Sequence, residues 1–228
     1  GSLMEFTFDR ELSSALKSFA QAHQSTLFVA LMATLHATVS RLTQSRTNTI
    51  LTAAANRNHP EFESVVGFLV NVVPIQIAMT PATTFVQLFH QVRHFTLNAF
   101  ANSMASFDRV CSLATDDAKQ RLPSEIMLVV QNFPRRSIAR LPTELTPLPL
   151  DSGTTPFDIN IAMFDLGNTL TGTLTYRSAL FQQETIVAFL DRWKKVCEQC
   201  LNDADQPLAS LDVLLEDELQ QLEDWGWQ

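Results

Sequence analysis

From Leu27 to Leu42 the chain places apolar residues around almost the whole circumference of a helix. Leu27, Phe28, Val29, Leu31, Met32 and Leu35 leave no broad polar face. A helix of this kind has to be wrapped by other elements, so the chain must build layers on more than one side of it. Ser25 and Thr26 stand in front of the run as its N-terminal cap. The apolar stretch itself, Leu27 to Leu35, is shorter than the roughly 20 residues a bilayer span needs.

The partners of that helix are legible on either side. Phe6-Thr7-Phe8 alternates as a short strand, and Asp9 caps a helix carrying Leu12, Leu16 and Phe19. Thr49–Ala54 reads as a strand that ends in the polar run Asn56-Arg57-Asn58-His59-Pro60. Val65 to Ile77 is almost continuously apolar and is expected to be a strand buried on both faces. A long helix is expected from Phe85 to Ala101, with Phe85, Leu88, Phe89, Val92 and Phe95 on one side. Glu125–Gln131 is a further buried-strand candidate. Pro134 to Pro156 forms a proline-rich crossing segment, long enough to suggest function rather than a simple connection. Phe157–Phe164 and Thr169–Tyr176 flank Asp165-Leu166-Gly167-Asn168 as a hairpin. The last strong helix spans Gln183–Leu201, with Ile186, Leu190, Trp193, Cys197 and Leu201 on one face, and Leu208–Gln228 is acidic and partly helical. Strands and helices interleave, which makes the fold class α/β.

Composition narrows the function. The 228 residues are 46% hydrophobic and 18% charged, enough for a real core. A net charge of −8 argues against nucleic acid, whose phosphates call for a basic face. Gly1-Ser2 reads as a tag remnant, and residues 1–5 as tag or linker. With no signal-peptide pattern and three unevenly placed cysteines, the chain is expected to be reduced, soluble and cytoplasmic.

No sequence pattern assembles an active site by itself. There is no Gly-x-Ser-x-Gly elbow and no phosphate-binding glycine loop. His90 and His94 have the i, i+4 spacing of a zinc pair, but Gln91 stands where the metalloprotease pattern has its glutamate. Cys197-Glu-Gln-Cys200 lies near the end of a helix rather than at its start, and is expected to be a pair of core thiols. Asp116-Asp117 is read as a solvated loop.

Asn56-Arg57-Asn58 followed by Gly67-Phe68-Leu69-Val70-Asn71 resembles the Gly-x-Phe-Val-Asn-Thr motif of nonribosomal-peptide-synthetase condensation domains. Further matches follow in the family's order. They are Asn102 to Asp108, Pro123 to Asn132, Phe157-Asp158-Ile159, Gly172 to Tyr176 with Leu180-Phe181, and Leu214-Leu215 with Glu218 to Trp225. The resemblance implies a chloramphenicol-acetyltransferase-like lobe, a mixed sheet flanked by helices, over residues 6–207. Residues 208–228 would be a linker toward an adenylation domain.

It also implies the chemistry: an acceptor amine attacks a donor thioester to give an amide, both substrates arriving on the phosphopantetheine of carrier domains. No cofactor is bound directly. The implied partners are an N-terminal condensation lobe, peptidyl carrier domains and an adenylation domain, with no nucleic acid and no membrane. The family's His-His-x-x-x-Asp-Gly motif belongs to the other lobe and does not occur in this sequence. No catalytic or metal residue is therefore expected here. The residues expected at the channel or motif are Arg57, Gly67, Phe68, Asn71, Asn102, Phe107 and Asp108. Val72, Asn102 and Ser106 stand where the family pattern has Thr, His and Pro.

Four of these residues also have a reading from the sequence alone. Asn71 interrupts an apolar run, so its amide is either satisfied structurally or faces a channel. Gly67 is expected to admit a close backbone approach. Phe107-Asp108 restarts regular structure. A degenerate module that recruits a partner protein without chemistry is the alternative function, and a stand-alone acyltransferase ranks below both.

Overall fold

The computed structural model describes residues 1–57, 60–113, 126–131 and 153–226. Asp116-Asp117, the stretch from Asp116 to Arg121, and residues 134–152 of the crossing segment lie outside them. In chain order the elements are β1 (Ser2–Phe8), α1 (Arg10–Ala22), α2 (Leu27–Thr43), β2 (Thr47–Ala54) and the single turn α3 (Pro60–Glu63). Then come β3 (Asn71–Ala78), α4 (Phe85–Ala101), α5 (Phe107–Leu113), β4 (Ile126–Gln131), β5 (Ile159–Asp165) and β6 (Leu170–Tyr176). The chain closes with α6 (Gln183–Asn202), a 3-10 turn at Leu208–Ser210 and α7 (Glu216–Asp224).

The six strands form one sheet in the order β1-β6-β5-β4-β2-β3. β4 runs parallel to β2 and β5, and every other neighbour pair is antiparallel, so the sheet is mixed as expected. Asp9 caps α1 as expected, accepting from the Leu12 amide at 2.8 Å, and Thr84 caps α4, accepting from the Gln87 amide at 3.4 Å. Gln87 returns a bond to the Thr84 amide, completing a capping box.

α2 is the centre of the core, buried from Val29 to Thr38. Its polar residues are tied in. Thr34 accepts a hydrogen bond from the indole of fully buried Trp193 on α6 at 3.0 Å. His36 shares its Nδ1 proton with the Asn48 side chain on β2, whose amide donates back to the His36 carbonyl at 3.1 Å. Burial then holds the His36 imidazole neutral, lowering its pKa to about 4 against the partial support of Asn48. No helix among the described residues is long and apolar enough by itself to cross a membrane.

At the sheet's β1 edge, Phe6 pairs with Gly172, and its ring lies against that glycine, Phe8 and Trp193. The Phe8 and Trp193 rings meet edge to face with centroids 5.2 Å apart. Ser13 of α1 adds a buried polar tie, donating to the Phe8 carbonyl and accepting from the Leu170 amide at 2.9 Å.

β1 begins at Ser2, paired with Tyr176. Beyond the 3-10 turn the chain stays against α6, where Leu208 and Leu211 are buried and Arg192 binds both the Val213 carbonyl and Glu218. Two expectations change. The apolar run from Val65 is not one strand buried on both faces. Pairing starts only at Asn71, and β3 is an edge strand that tolerates Pro74 and buries only Val73, Ile75 and Ile77. Phe95 is 46% exposed, because after Val92 the buried stripe of α4 continues through Thr96 instead.

Candidate functional site

The resemblance residues converge at the β2–β3 end of the sheet, where Asn56, Asn71 and Ser103 form one polar knot. Asn56 follows β2 with a left-handed φ of 52°, a conformation asparagine tolerates better than most residues. Its amide donates to the Ser103 carbonyl at 3.3 Å, and the buried Ser103 hydroxyl donates back to Asn56 Oδ1 at 2.7 Å. Asn71, the first residue of β3, donates its amide to the same Ser103 carbonyl at 2.8 Å and to the Ala105 carbonyl at 2.6 Å. Those carbonyls belong to the turn between α4 and α5, which Asn56 and Asn71 therefore clamp. Asn71 Oδ1 has no partner among the described residues, so a single residue is both structural tie and free acceptor.

Arg57 does a second fixing job. Its guanidinium donates to the carbonyls of Phe62 and Val65, the latter at 2.9 Å, and so fastens the segment between β2 and β3. This segment presents Val66 and Phe68 almost wholly to the outside, at 101% and 91% exposure. Gly67 lies between them with open space where a side chain would go. The expected close backbone approach at Gly67 is therefore overturned: the glycine faces outward with its neighbours. Asn102 closes α4, its amide donating to the Asn98 carbonyl at 2.8 Å. Phe107 is half-buried and opens α5, and Asp108 is exposed in the first turn of that helix, where its charge favours the helix dipole.

All seven expected residues thus lie between β2 and the start of β3 or around the α4–α5 turn, where Gly67 and Phe68 face outward. Sequence reasoning missed Ser103, although it lies in the quoted Asn102–Asp108 stretch. Its signal was weak, because a lone serine after a helix is common.

The other chemistry-bearing groups lie elsewhere. Cys197 and Cys200 face the core, where burial pushes the Cys197 thiol up to about 12 and raises Cys200 as well. They are core thiols, as expected. His94 binds Asn98 on its own exposed helix face, and His90 rests against His23 with ring centroids 5.8 Å apart. Among the described residues, no group of three potential metal ligands comes together.

The sequence matches the family described as Condensation domain over residues 1–223. It is 34% identical to the nonribosomal peptide synthetase kk1B of Curvularia clavata over 92% of this chain and 2% of that protein. It is 31% identical to the cyclosporin synthetase simA of Tolypocladium inflatum, over 92% of this chain and 1% of that one. The chain therefore spans only a small part of these relatives' length.

Among solved structures, the first condensation domain of the CDA synthetase superposes with a TM-score of 0.76 at 15% identity, over 94% of this chain and 48% of that one. A four-domain nonribosomal peptide synthetase bound to AMP and glycine does so at 0.83 and 20%, over 95% of this chain and 18% of that one. At such identities the structures speak for the fold, the chloramphenicol-acetyltransferase-like fold of condensation domains. With the family match covering almost its whole length, this chain belongs to the condensation-domain family of nonribosomal peptide synthetases.

Proposed function

We propose that this chain is the C-terminal of the two lobes of a condensation domain, helping to form amide bonds between carrier-bound thioesters while the other lobe supplies the His-His-x-x-x-Asp-Gly motif. The carrying observation is the segment Val65 to Val70. It exposes Val66 and Phe68 to the outside while Arg57 holds its backbone in place. Apolar side chains fixed outward in this way favour a surface that another body covers. The match to 48% of a solved condensation domain is in keeping with one lobe of two. On this reading no residue of the chain moves the proton; Asn71 and its neighbours shape one wall of the channel. Carrier domains, with substrates on phosphopantetheine, and an adenylation domain are the partners, in the cytoplasm.

The test is reconstitution. This chain alone, given donor- and acceptor-loaded carrier proteins, is expected to form no amide, and addition of a lobe bearing the histidine motif is expected to start the reaction. Amide formation by the chain alone would overturn the assignment.

A second reading is recruitment without chemistry. It is favoured by Asn102, which stands in the place of the family's His and is used as a helix cap. A neighbour of the same fold, solved as the complex of the X-domain and OxyB from teicoplanin biosynthesis, aligns at TM-score 0.76 and 17% identity over 95% of this chain and 49% of that one. A reconstituted pair that binds carriers and still forms no amide would select this second reading.

A further inference from the structure

A cleft of about 490 Å³ opens where the start of α2 meets α4 and the end of β4. α2 begins there at Thr26, and its first turn contains no acidic residue. The Thr26 hydroxyl accepts from the Val29 amide, and the Thr26 carbonyl from that of Ala30. The amides of Leu27 and Phe28 have no acceptor among the described residues, as is usual for the first turn of a helix. A 17-residue helix ending this way offers a partial positive charge and free N–H groups to an anion.

Three independent observations on α4 point the same way. Arg93, Thr96, Leu97 and Phe100 follow one another at i, i+3, i+4 and i+7, so one stripe of the helix lines the cleft. Among the described residues, Arg93 forms no ion pair or hydrogen bond and no carboxylate lines the cleft to neutralise it. Thr96 is 3% exposed, and its hydroxyl has no hydrogen-bond partner among the described residues. A threonine on a helix can usually satisfy its hydroxyl on a carbonyl of the preceding turn. Here it stands unsatisfied on the stripe that faces the cleft. The remaining walls are apolar: Phe28 and Phe100 rings lie 6.0 Å apart, with Leu27, Leu97 and Val130 beside them.

We infer that this cleft binds an oxyanion head group attached to an apolar tail, the head held by Arg93, the Thr96 hydroxyl and the Leu27 and Phe28 amides. The binding of the tail falls to Phe28, Leu97 and Phe100. The inference goes beyond the condensation reading and stands or falls separately, because the cleft shares no lining residue with the Asn71 knot or the Val65 to Val70 segment.

Phenyl phosphate, benzoate and the neutral benzyl alcohol are titrated by calorimetry into the intact chain, Arg93→Gln and Thr96→Val. Saturable binding of phenyl phosphate is expected, weaker by about tenfold in each variant, the loss of one charge-assisted or buried hydrogen bond. Benzoate binding with the same losses would show that any oxyanion suffices; no benzoate binding would restrict the site to phosphate. Thr96→Val is nearly isosteric and removes an unsatisfied group, so it keeps the fold, which circular dichroism and thermal melting check. Absence of saturable binding overturns the inference. So does unchanged affinity in both variants, or benzyl alcohol binding as tightly as phenyl phosphate.

Discussion

The Asn71 side-chain amide donates at once to the carbonyl of Ser103 at 2.8 Å and to that of Ala105 at 2.6 Å, closing the α4–α5 turn onto the first residue of β3. Both acceptors are fixed carbonyl oxygens, so only a donor satisfies them. Asn71→Ala is expected to cost about 1–3 kcal/mol through the lost bonds. Asn71→Asp is nearly isosteric but turns a donor into an anionic acceptor facing two carbonyls, and is expected to cost more than Ala. Urea unfolding of the two variants checks the order; an aspartate variant more stable than the alanine one would mean that the amide does not donate there.

The helices of this fold were legible because their signals are local. Asp9, Thr26 and Thr84 each precede an apolar stripe and each caps a helix. The run from Val65 misled because nothing local distinguishes an apolar strand from an apolar surface segment. What separates them is the Arg57 guanidinium, which takes the Val65 carbonyl out of sheet pairing, and the position of β3 at the edge. Asn71 could be noticed, since a polar residue in an apolar run asks for partners. Its partners could not, because they are main-chain carbonyls that any sequence would carry, and Ser103 becomes special only when Asn56 arrives from 47 residues away.

Gly172 is one glycine whose reason is now physical. A Cβ there would lie 2.5 Å from Phe6 Cε1 and 2.9 Å from Met163 Sδ, inside van der Waals contact with both. The Phe6 ring cannot swing away freely, being packed on Phe8 and Trp193. Gly172→Ala is expected to destabilise by about 1–3 kcal/mol, the usual range for overpacking a filled core. Gly67→Ala, facing open space, is expected to stay within about 0.5 kcal/mol of the parent. Paired thermal melts measure the contrast, and similar losses at the two sites would refute the packing argument.

His36 sets a pH dependence whose sign is fixed. Its pKa is lowered by burial to about 4 from the ordinary 6.5, and its Nε2 is buried without a partner among the described residues. The unfolded chain takes up a proton below pH 6.5 that the folded chain refuses until about pH 4. Stability from this group is complete above 6.5 and declines as the pH falls through that window, by about 3 kcal/mol in all. Denaturation midpoints between pH 7.5 and 4.5 read it directly. His36→Gln, which keeps a donor for Asn48 and does not titrate, is expected to flatten that part of the profile. An equally steep profile in the variant would assign the decline to other groups.

Val66 and Phe68 supply the last prediction, since they separate a surface used in assembly from one that is merely apolar. They are almost fully exposed, so Val66→Asp and Phe68→Ser remove no core contact, and the stability of the isolated chain is expected to change by less than about 0.5 kcal/mol each. If this segment meets another lobe, the isolated chain has an uncovered apolar patch and is expected to self-associate as concentration rises. The double variant is then expected to remain monomeric by light scattering. It is also expected to reconstitute poorly with the histidine-bearing lobe, because a charge at Val66 and a lost ring at Phe68 would be buried unpaired or unfilled at the contact. Both losses should appear together, because one surface produces both. A double variant that still self-associates, or that reconstitutes as well as the parent, would place the lobe contact elsewhere on the sheet.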